Sequence, residues 1–325
     1  MALDAASGEP LWEHVYEAPG KLDYGNSPRA TPLILEDRVI TLGAFGDLRC
    51  LDLEIGSVLW KCNLQRDFGG KLSTWGFCGT PLVVGQKVIV QVGAAACSLI
   101  ALDLESGEVL WKSPGREISY SSLVLASVSG QPQVIGFDQT SLGGWSLADG
   151  RRLWEIVADQ RNEFNVPTPI IDSTGVFVAT ENNGSRRYEF NPDGVAKSTP
   201  VATFESFAPD MHTGVQVGNR IFGIHGDLFC LDAMTLQPIW TGSDDSFGQY
   251  TSLVASPDSL LAITIDGELL LIDTRRDQFS ITSRLSLAED VDIFSHPAFV
   301  GKRMYVRLGP SITCVDLQVT TDTSR

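Results

Sequence analysis

Short apolar runs alternate with polar turns along the whole chain. Segments such as "TPLILEDRVITLG" (31–43) and "TPLVVGQKVIVQVG" (80–93) each contain an apolar run, a turn and a second apolar run. This pattern is typical of two short strands joined by a hairpin. No segment sustains the 3.6-residue period of a helix, so the sequence predicts almost no helix.

A second pattern follows these hairpins. "ALDLESGEVLWKS" (101–113) closely resembles "ALDAASGEPLWEH" (2–14) and "CLDLEIGSVLWKC" (50–62). Five tryptophans share one place in this phrase, at spacings of 48, 51, 43 and 86 residues: Trp12, Trp60, Trp111, Trp154 and Trp240. The last spacing is twice 43, and the skipped copy, "YEFNPDGVAKS", has Ser198 at the tryptophan position. A degenerate copy, "LIDTRRDQFSI", has Ile281 there.

One repeat therefore contains four short strands in 40–50 residues, the period of a β-propeller blade. Counting the paired runs predicts an all-β propeller of seven four-stranded antiparallel blades, in one domain over residues 1–325. The alternative is a truncated or incomplete eight-bladed propeller. Within the phrase we interpret Asp103 and Gly107 as turn formers, and Trp111 as a packing anchor between blades.

The two ends of the chain suggest how the propeller closes. The seventh blade runs through "SITCVDL" and then lacks a good fourth strand, while the N-terminus supplies "EPLWEHVY". We therefore predict that the N-terminal strand closes the last blade as its outer strand. Ala2-Leu3-Asp4 duplicates Val315-Asp316, so either Met1–Asp4 is displaced or the parent propeller had eight blades.

Charge and hydropathy exclude several function classes. The net charge of −16 argues against nucleic acid, which is bound by Lys and Arg, and against an anionic membrane surface. No apolar run approaches the roughly 20 residues of a membrane span, and no secretory signal is recognisable.

Few residues are candidates for metal binding or catalysis. The six cysteines form no metal-like pair and are predicted to be free thiols, with Cys50, Cys230 and Cys314 at a buried position of the repeat. The four histidines lack zinc-site spacing, and no nucleophile elbow, phosphate loop or calcium loop is present.

The repeated phrase resembles the repeat of the PQQ-like β-propeller family over essentially the whole chain. This family includes the propellers of quinoprotein alcohol dehydrogenases and the outer-membrane assembly lipoprotein BamB. The resemblance implies a bacterial, periplasmic or otherwise extracytoplasmic protein, although a cytoplasmic location stays open because no export signal is visible. A quinoprotein enzyme of the family would need a vicinal Cys-Cys pair and a calcium site, and no Cys-Cys dipeptide is present. We therefore expect no cofactor, with pyrroloquinoline quinone and calcium as the alternative.

Binding residues are expected where the repeats differ. The start of the first, innermost strand of each blade is predicted to form a set of hydroxyls and one imidazole: Thr31, Thr80, Ser121, Thr168, Thr213, Thr251 and His296. Their simplest role is structural, through bonds to neighbouring backbone. The loops before these positions carry mixed aromatic and polar candidates for a binding site at the channel mouth: Asn26, Arg29, Trp75, Tyr120, Asn165, His212, Gln249, Tyr250, Phe294 and His296.

The sequence thus favours a non-catalytic scaffold that recognises a protein, peptide or small ligand through its channel-mouth loops. A BamB-like role in an assembly complex is one form of this function. The alternatives are an oxidoreductase that uses pyrroloquinoline quinone, and a sensor or interaction domain of a larger protein.

Overall fold

Seven antiparallel sheets of the propeller-blade type follow one another along the chain. In a computed structural model, residues 1–161, 163–248, 250–289 and 291–317 are described. In six sheets four strands pair in sequence order, and in the seventh the described residues supply three. Blade one contains β3 (Leu33–Ile34), β4 (Arg38–Leu42), β5 (Asp47–Asp52) and β6 (Val58–Asn63). The predicted all-β propeller with four-stranded antiparallel blades is confirmed.

The remaining blades repeat this order. Blade two contains β7 (Leu82–Val84), β8 (Lys87–Ala94), β9 (Cys97–Asp103) and β10 (Val109–Ser113). Blade three contains β11 (Val124–Val128), β12 (Gln131–Phe137), β13 (Leu142–Ser146) and β14 (Arg152–Ile156). Blade four contains β15 (Ile170–Ile171), β16 (Gly175–Thr180), β17 (Gly184–Glu189) and β18 (Ala202–Phe204).

Three further blades follow in sequence. Blade five contains β19 (Val215–Val217), β20 (Arg220–His225), β21 (Asp227–Asp232) and β22 (Pro238–Gly242). Blade six contains β23 (Thr251–Ala255), β24 (Ser259–Thr264), β25 (Glu268–Asp273) and β26 (Ile281–Ser286). Blade seven contains β27 (Ala298–Val300), β28 (Arg303–Leu308) and β29 (Ser311–Asp316).

Helix is almost absent, as the sequence predicts. Among the residues described, the only helix is α1 (Leu64–Phe68), capped by the side chain of Asn63. None of the described helical structure is long and apolar enough to cross a membrane.

The chain divides into two compact units, Met1–Val201 and a second unit that begins at Ala202. Each unit has its own apolar cores. In the first, buried residues of β4, β5, β8 and β9 pack together, among them Ile40, Leu48, Val88 and Ile100. In the second, Phe222, Leu228, Leu260 and Leu270 lie in one core. Each core forms because alternate residues of the strands point to the same face of a sheet.

The repeated aspartate builds the turn between the third and fourth strands. Asp103 Oδ1 accepts hydrogen bonds from the backbone N–H groups of Glu105 and Ser106, at 3.1 and 2.9 Å. Gly107 has a φ of 72°, the left-handed region that favours glycine. Asp52 and Asp232 accept equivalent bonds in their own blades. The interpretation of these residues as turn formers is confirmed.

In the first unit the repeated tryptophan contacts the blade that follows its own. In blade two, Trp111 packs on the turn glycine of blade three, where a Cβ on Gly150 would lie 2.4 Å from the indole. Its Nε1–H donates to the carbonyl of Leu147 at 3.2 Å. Trp60 makes the same contacts with Gly107 and the Leu104 carbonyl, at 2.8 Å for the hydrogen bond. The tryptophan is therefore a packing anchor between blades, as predicted.

Trp154 is an exception within the first unit. Its Nε1–H donates to Gln133 Oε1 of its own blade at 2.8 Å, rather than to a turn carbonyl of blade four. Gln133 Nε2 in turn donates to the carbonyl of Gly194 in blade four, also at 2.8 Å. The buried Gln133 thus relays the contact from the indole to the next blade.

The N-terminal residues form their own hairpin. β1 (Ala2–Leu3) pairs with β2 (Pro10–Trp12), through an Asp4 turn like those of the complete blades. Trp12 donates to the Leu53 carbonyl of blade one at 3.0 Å, as Trp60 and Trp111 do to the blades that follow them. In the described residues the partner of β2 is β1. Closure of the last blade by the N-terminal strand stays a prediction.

The cysteines are free, as expected, but not all are buried. Cys50 and Cys230 lie in the core, and burial raises the pKa of their thiols to about 11 and about 12. Cys314 is exposed, contrary to its predicted buried position. It lies in β29, where no fourth strand covers the sheet within the described residues.

Candidate functional site

Three aromatic side chains from successive loops form a cluster in the first unit. Trp75 precedes β7, Tyr120 precedes β11 and Phe164 precedes β15, so each lies in a connection into the first strand of a blade. The ring centroid of Trp75 is 4.9 Å from that of Tyr120 and 4.6 Å from that of Phe164. Phe164 is 45% exposed. We call these three residues the aromatic cluster.

The sequence identifies two members of this cluster and misses the third. Trp75 and Tyr120 are predicted candidates and the structure brings them together, whereas Phe164 is not predicted. The sequence does contain a feature that could have identified Phe164, since it is a large apolar residue within the polar segment "ADQRNEFN" (158–165). An exposed aromatic residue in a polar loop is more informative about binding than a buried one.

Asn165 positions the loop rather than facing solvent. It is 7% exposed and adopts a left-handed backbone conformation with a φ of 51°. Its carbonyl accepts a hydrogen bond from the Ser121 N–H at 3.1 Å, and its Nδ2 donates to the carbonyls of Asp138 and Gln139 at 3.3 and 3.2 Å. Since Asn165 is held inward, its neighbour Phe164 is turned outward.

Asn26 and Arg29 stabilise a different loop. Asn26 Nδ2 donates to the Gly20 carbonyl at 2.9 Å, and its Oδ1 accepts from the Leu22 N–H at 3.1 Å. The Arg29 guanidinium donates to three carbonyls of the same loop, at 2.7, 2.7 and 3.0 Å. These contacts give both residues a structural role in the loop that precedes β3.

The second unit holds a separate group of predicted residues. His212 stacks on Tyr250 at a centroid distance of 5.8 Å, and Tyr250 lies 5.7 Å from Phe294 and 6.3 Å from His296. His212 and Tyr250 are buried, whereas Phe294 is 51% exposed. Gln249, the remaining candidate, lies outside the described residues.

Burial determines the charge of this second group. Desolvation lowers the pKa of His212 to about 4, with the nearby Asp210 carboxylate acting in the opposite direction. Both ring nitrogens are buried and have no hydrogen-bond partner among the described residues. Desolvation also raises the pKa of Tyr250 to about 12. At neutral pH the two rings are therefore uncharged and contribute a flat apolar surface.

The predicted hydroxyl positions link neighbouring blades in the first unit. The Thr31 N–H donates to Thr80 Oγ1 at 3.3 Å, and the Thr80 N–H donates to Ser122 Oγ at 3.0 Å. The Ser122 N–H continues the series to Thr168 Oγ1 at 3.2 Å. The third position is thus Ser122, not the predicted Ser121, because Ser122 occupies the place of Thr80 in the repeat. These bonds support the structural role for the hydroxyls of this unit.

The described residues offer a poor fit for a quinone and its calcium ion. Of the four cysteines of the first unit, Cys50 and Cys97 are buried in its core, and the nearest two in sequence, Cys50 and Cys62, are twelve positions apart. No group of three or more His, Cys, Asp or Glu side chains that could hold a metal ion occurs among the residues searched.

Similarity to known proteins agrees with the repeat pattern. A family model described as outer membrane protein assembly factor BamB matches residues 1–242. The outer membrane protein assembly factor BamB of Shewanella oneidensis is 22% identical over 256 residues, which cover 69% of this chain. The match spans 59% of the length of that relative.

Solved structures share the fold. The crystal structure of BamB from Moraxella catarrhalis has a TM-score of 0.65 at 15% identity, over 94% of this chain and 85% of that one. A europium-containing methanol dehydrogenase has a TM-score of 0.62 at 12% identity, over 86% of this chain and 72% of that one. The family match covers well over half of the sequence, and the chain therefore belongs to the family of the outer membrane protein assembly factor BamB.

Proposed function

We propose that this protein is a non-catalytic binding scaffold that holds an extended protein segment on the loops preceding its first strands. The aromatic cluster carries this proposal. Trp75, Tyr120 and Phe164 form one group of touching rings in which Phe164 remains 45% exposed. Aromatic side chains contribute much contact area at a low entropic cost, which is why they dominate binding surfaces.

Hydrogen bonds within the protein order the connection that carries Phe164 in the absence of a partner. Asn165 fixes the connection that carries Phe164 through three hydrogen bonds. A surface that is already ordered loses little conformational freedom on binding, and this raises affinity. The family relationship supports a partner among the proteins of outer-membrane assembly and an extracytoplasmic location.

Site-specific photo-crosslinking tests this function. A photoreactive phenylalanine analogue placed at Phe164 in the native bacterium is expected to form an adduct with an outer-membrane assembly protein or one of its clients. Leu110 is the matched control, because it is 47% exposed but lies on the outer strand β10. The variant Trp75→Ala/Tyr120→Ala should lose the adduct while retaining its thermal midpoint to within a few degrees. An adduct yield at Phe164 no higher than that at Leu110 would refute the proposal.

A further inference from the structure

Four arginines of the described residues are buried, and three of them have a carboxylate partner. Arg38 pairs with Asp37 at 2.8 Å, Arg49 with Asp47 at 3.6 Å and Arg187 with Asp172 at 2.8 Å. This is the usual state of a buried arginine, because a desolvated cation is costly unless an anion compensates it.

Arg186 is the fourth, and no carboxylate of the described residues pairs with it. It lies on β17 and is 7% exposed. Its Nη2 donates to Thr180 Oγ1 at 2.5 Å, and its guanidinium also hydrogen-bonds the Tyr188 hydroxyl. Its Nε is buried and has no partner among the described residues. Arg49 and Arg187 also have an unpartnered Nε, but each has a carboxylate on another nitrogen. Arg186 therefore differs from the other three arginines in lacking a paired carboxylate, and not in having an unpartnered Nε.

Arg186 lines a cleft between blades three and four. The walls come from the β12–β13 turn, the connection that carries Phe164, and strands β16 and β17, and they include Gln139, Ser141, Glu163, Asn165, Arg186 and Tyr188. The enclosed cavity has a volume of about 20 Å³. This is room for a water-sized polar group, such as one oxygen of a carboxylate. Glu163 and Asn165 of the lining flank Phe164 in sequence, so one connection contributes to both the cleft and the aromatic cluster.

The charges of the lining favour an anion. Arg161 and Arg186 are cationic and Glu163 is anionic, which leaves a formal charge of +1. Glu163 is itself buried, and its Oε1 accepts a hydrogen bond from the Asn182 N–H at 2.8 Å. Burial raises the pKa of Tyr188, so its hydroxyl stays protonated at neutral pH. One carboxylate would neutralise the lining.

We propose that this cleft binds a carboxylate of the segment that docks on the aromatic cluster. The Nε–H of Arg186 has no partner among the described residues. Together with an N–H of Nη2 it belongs to the side-on fork of a guanidinium, which matches the two oxygens of a carboxylate. The group next to that carboxylate then packs against Phe164. The inference rests on the proposed function and adds the chemistry of the partner, an acidic side chain or the carboxyl end of a chain.

Phenylacetate and its uncharged amide, phenylacetamide, test the cleft directly. Phenylacetate should bind saturably in protein-detected NMR titrations, and phenylacetamide should bind roughly ten- to a hundredfold more weakly because it lacks the charge-assisted hydrogen bonds. Arg186→Gln should abolish the difference between the two probes, and the exposed Arg275→Gln should leave it unchanged. Equal affinity of the two probes, or a difference that survives in Arg186→Gln, would overturn the proposal.

Short peptides distinguish the two sources of the carboxylate. An alanine-rich peptide with an internal Glu and blocked ends, its Gln counterpart, and the Gln peptide with a free carboxyl end are titrated in parallel. Tighter binding of the Glu peptide or of the free-end peptide identifies the source. Binding of no probe at all would show a water-filled cleft only and overturn the inference.

Crosslinking at Phe164 in the Arg186→Gln background separates the two proposals. A retained adduct supports the scaffold function even when the cleft binds no carboxylate.

Discussion

Two adjacent arginines show how differently one residue type can be used. Arg187 donates to both carboxylate oxygens of Asp172, at 2.9 and 2.8 Å, and to Thr174 Oγ1 at 2.6 Å. Burial alone would raise the pKa of Asp172, but hydrogen bonds from Thr174 and Arg187 outweigh it and the pKa is lowered. Arg186 has no such partner within the described part of the chain. Arg187 therefore contributes to stability, whereas the burial of Arg186 is unfavourable because no carboxylate pairs with its charge.

Replacing each arginine by methionine separates these roles. Arg187→Met should lower the free energy of unfolding by about 3 kcal/mol, because it leaves Asp172 without its buried cation. Arg186→Met should change it by less than about 1 kcal/mol, or raise it, because it removes an uncompensated buried charge. Urea denaturation followed by tryptophan fluorescence measures both. Equal losses in the two variants would show that Arg186 is also a stabilising residue.

At the residue scale, the sequence predicts the roles of residues whose partners are close in sequence. It misses roles that depend on distant partners, unless a repeat reveals them. The roles of Asp103 and Gly107 follow from a repeated phrase, because the turn they form is complete within a few residues. Trp111 has a distant partner at Leu147, and its role follows from the repetition of the phrase along the chain. The burial of Arg186 depends on loops that come from two blades, and the partner of Arg187 lies fifteen residues away at Asp172. Spacing alone does not show which of two neighbouring arginines faces a carboxylate.

At the scale of elements, the blades of the first unit are joined by one indole each, and blades three and four by a relay. Gln133→Leu should lower the free energy of unfolding by about 1–3 kcal/mol, because it leaves the Trp154 Nε1–H and the Gly194 carbonyl without partners. Trp154→Phe removes the first of these bonds. Denaturation of both single variants and the double variant gives the coupling between them, and the double variant should lose less than the sum. Strictly additive losses would mean that the two bonds are independent.

The N-terminal hairpin illustrates what the repeat can and cannot predict about elements. The phrase at Ala2–His14 predicts two strands, and both form. The closure of blade seven by β2 stays a prediction, while the Asp4 turn is a local interaction that brings β1 and β2 together. Pairing with a strand some 300 residues later would have to compete with that turn, and short-range closure costs less entropy.

At the scale of the whole molecule, the fold is shared with a methanol dehydrogenase, but the described residues contain no group of side chains that could hold a metal ion. Pyrroloquinoline quinone with calcium should therefore leave the thermal midpoint unchanged and should support no reduction of an electron-acceptor dye with alcohols. A quinoprotein dehydrogenase reconstituted in the same buffer is the positive control. A calcium-dependent rise in the midpoint together with dye reduction would show that the protein is an enzyme.

The series of indole contacts has a direction, and this matters during synthesis. Trp12, Trp60 and Trp111 each donate to a carbonyl that lies further along the chain, at Leu53, Leu104 and Leu147. On the ribosome each of these three tryptophans thus emerges some 40 residues before its acceptor. While these blades are being synthesised, the newest one carries an unsatisfied indole, which the next hairpin then covers. This order of contacts favours assembly of the first unit from its N-terminus, one blade at a time.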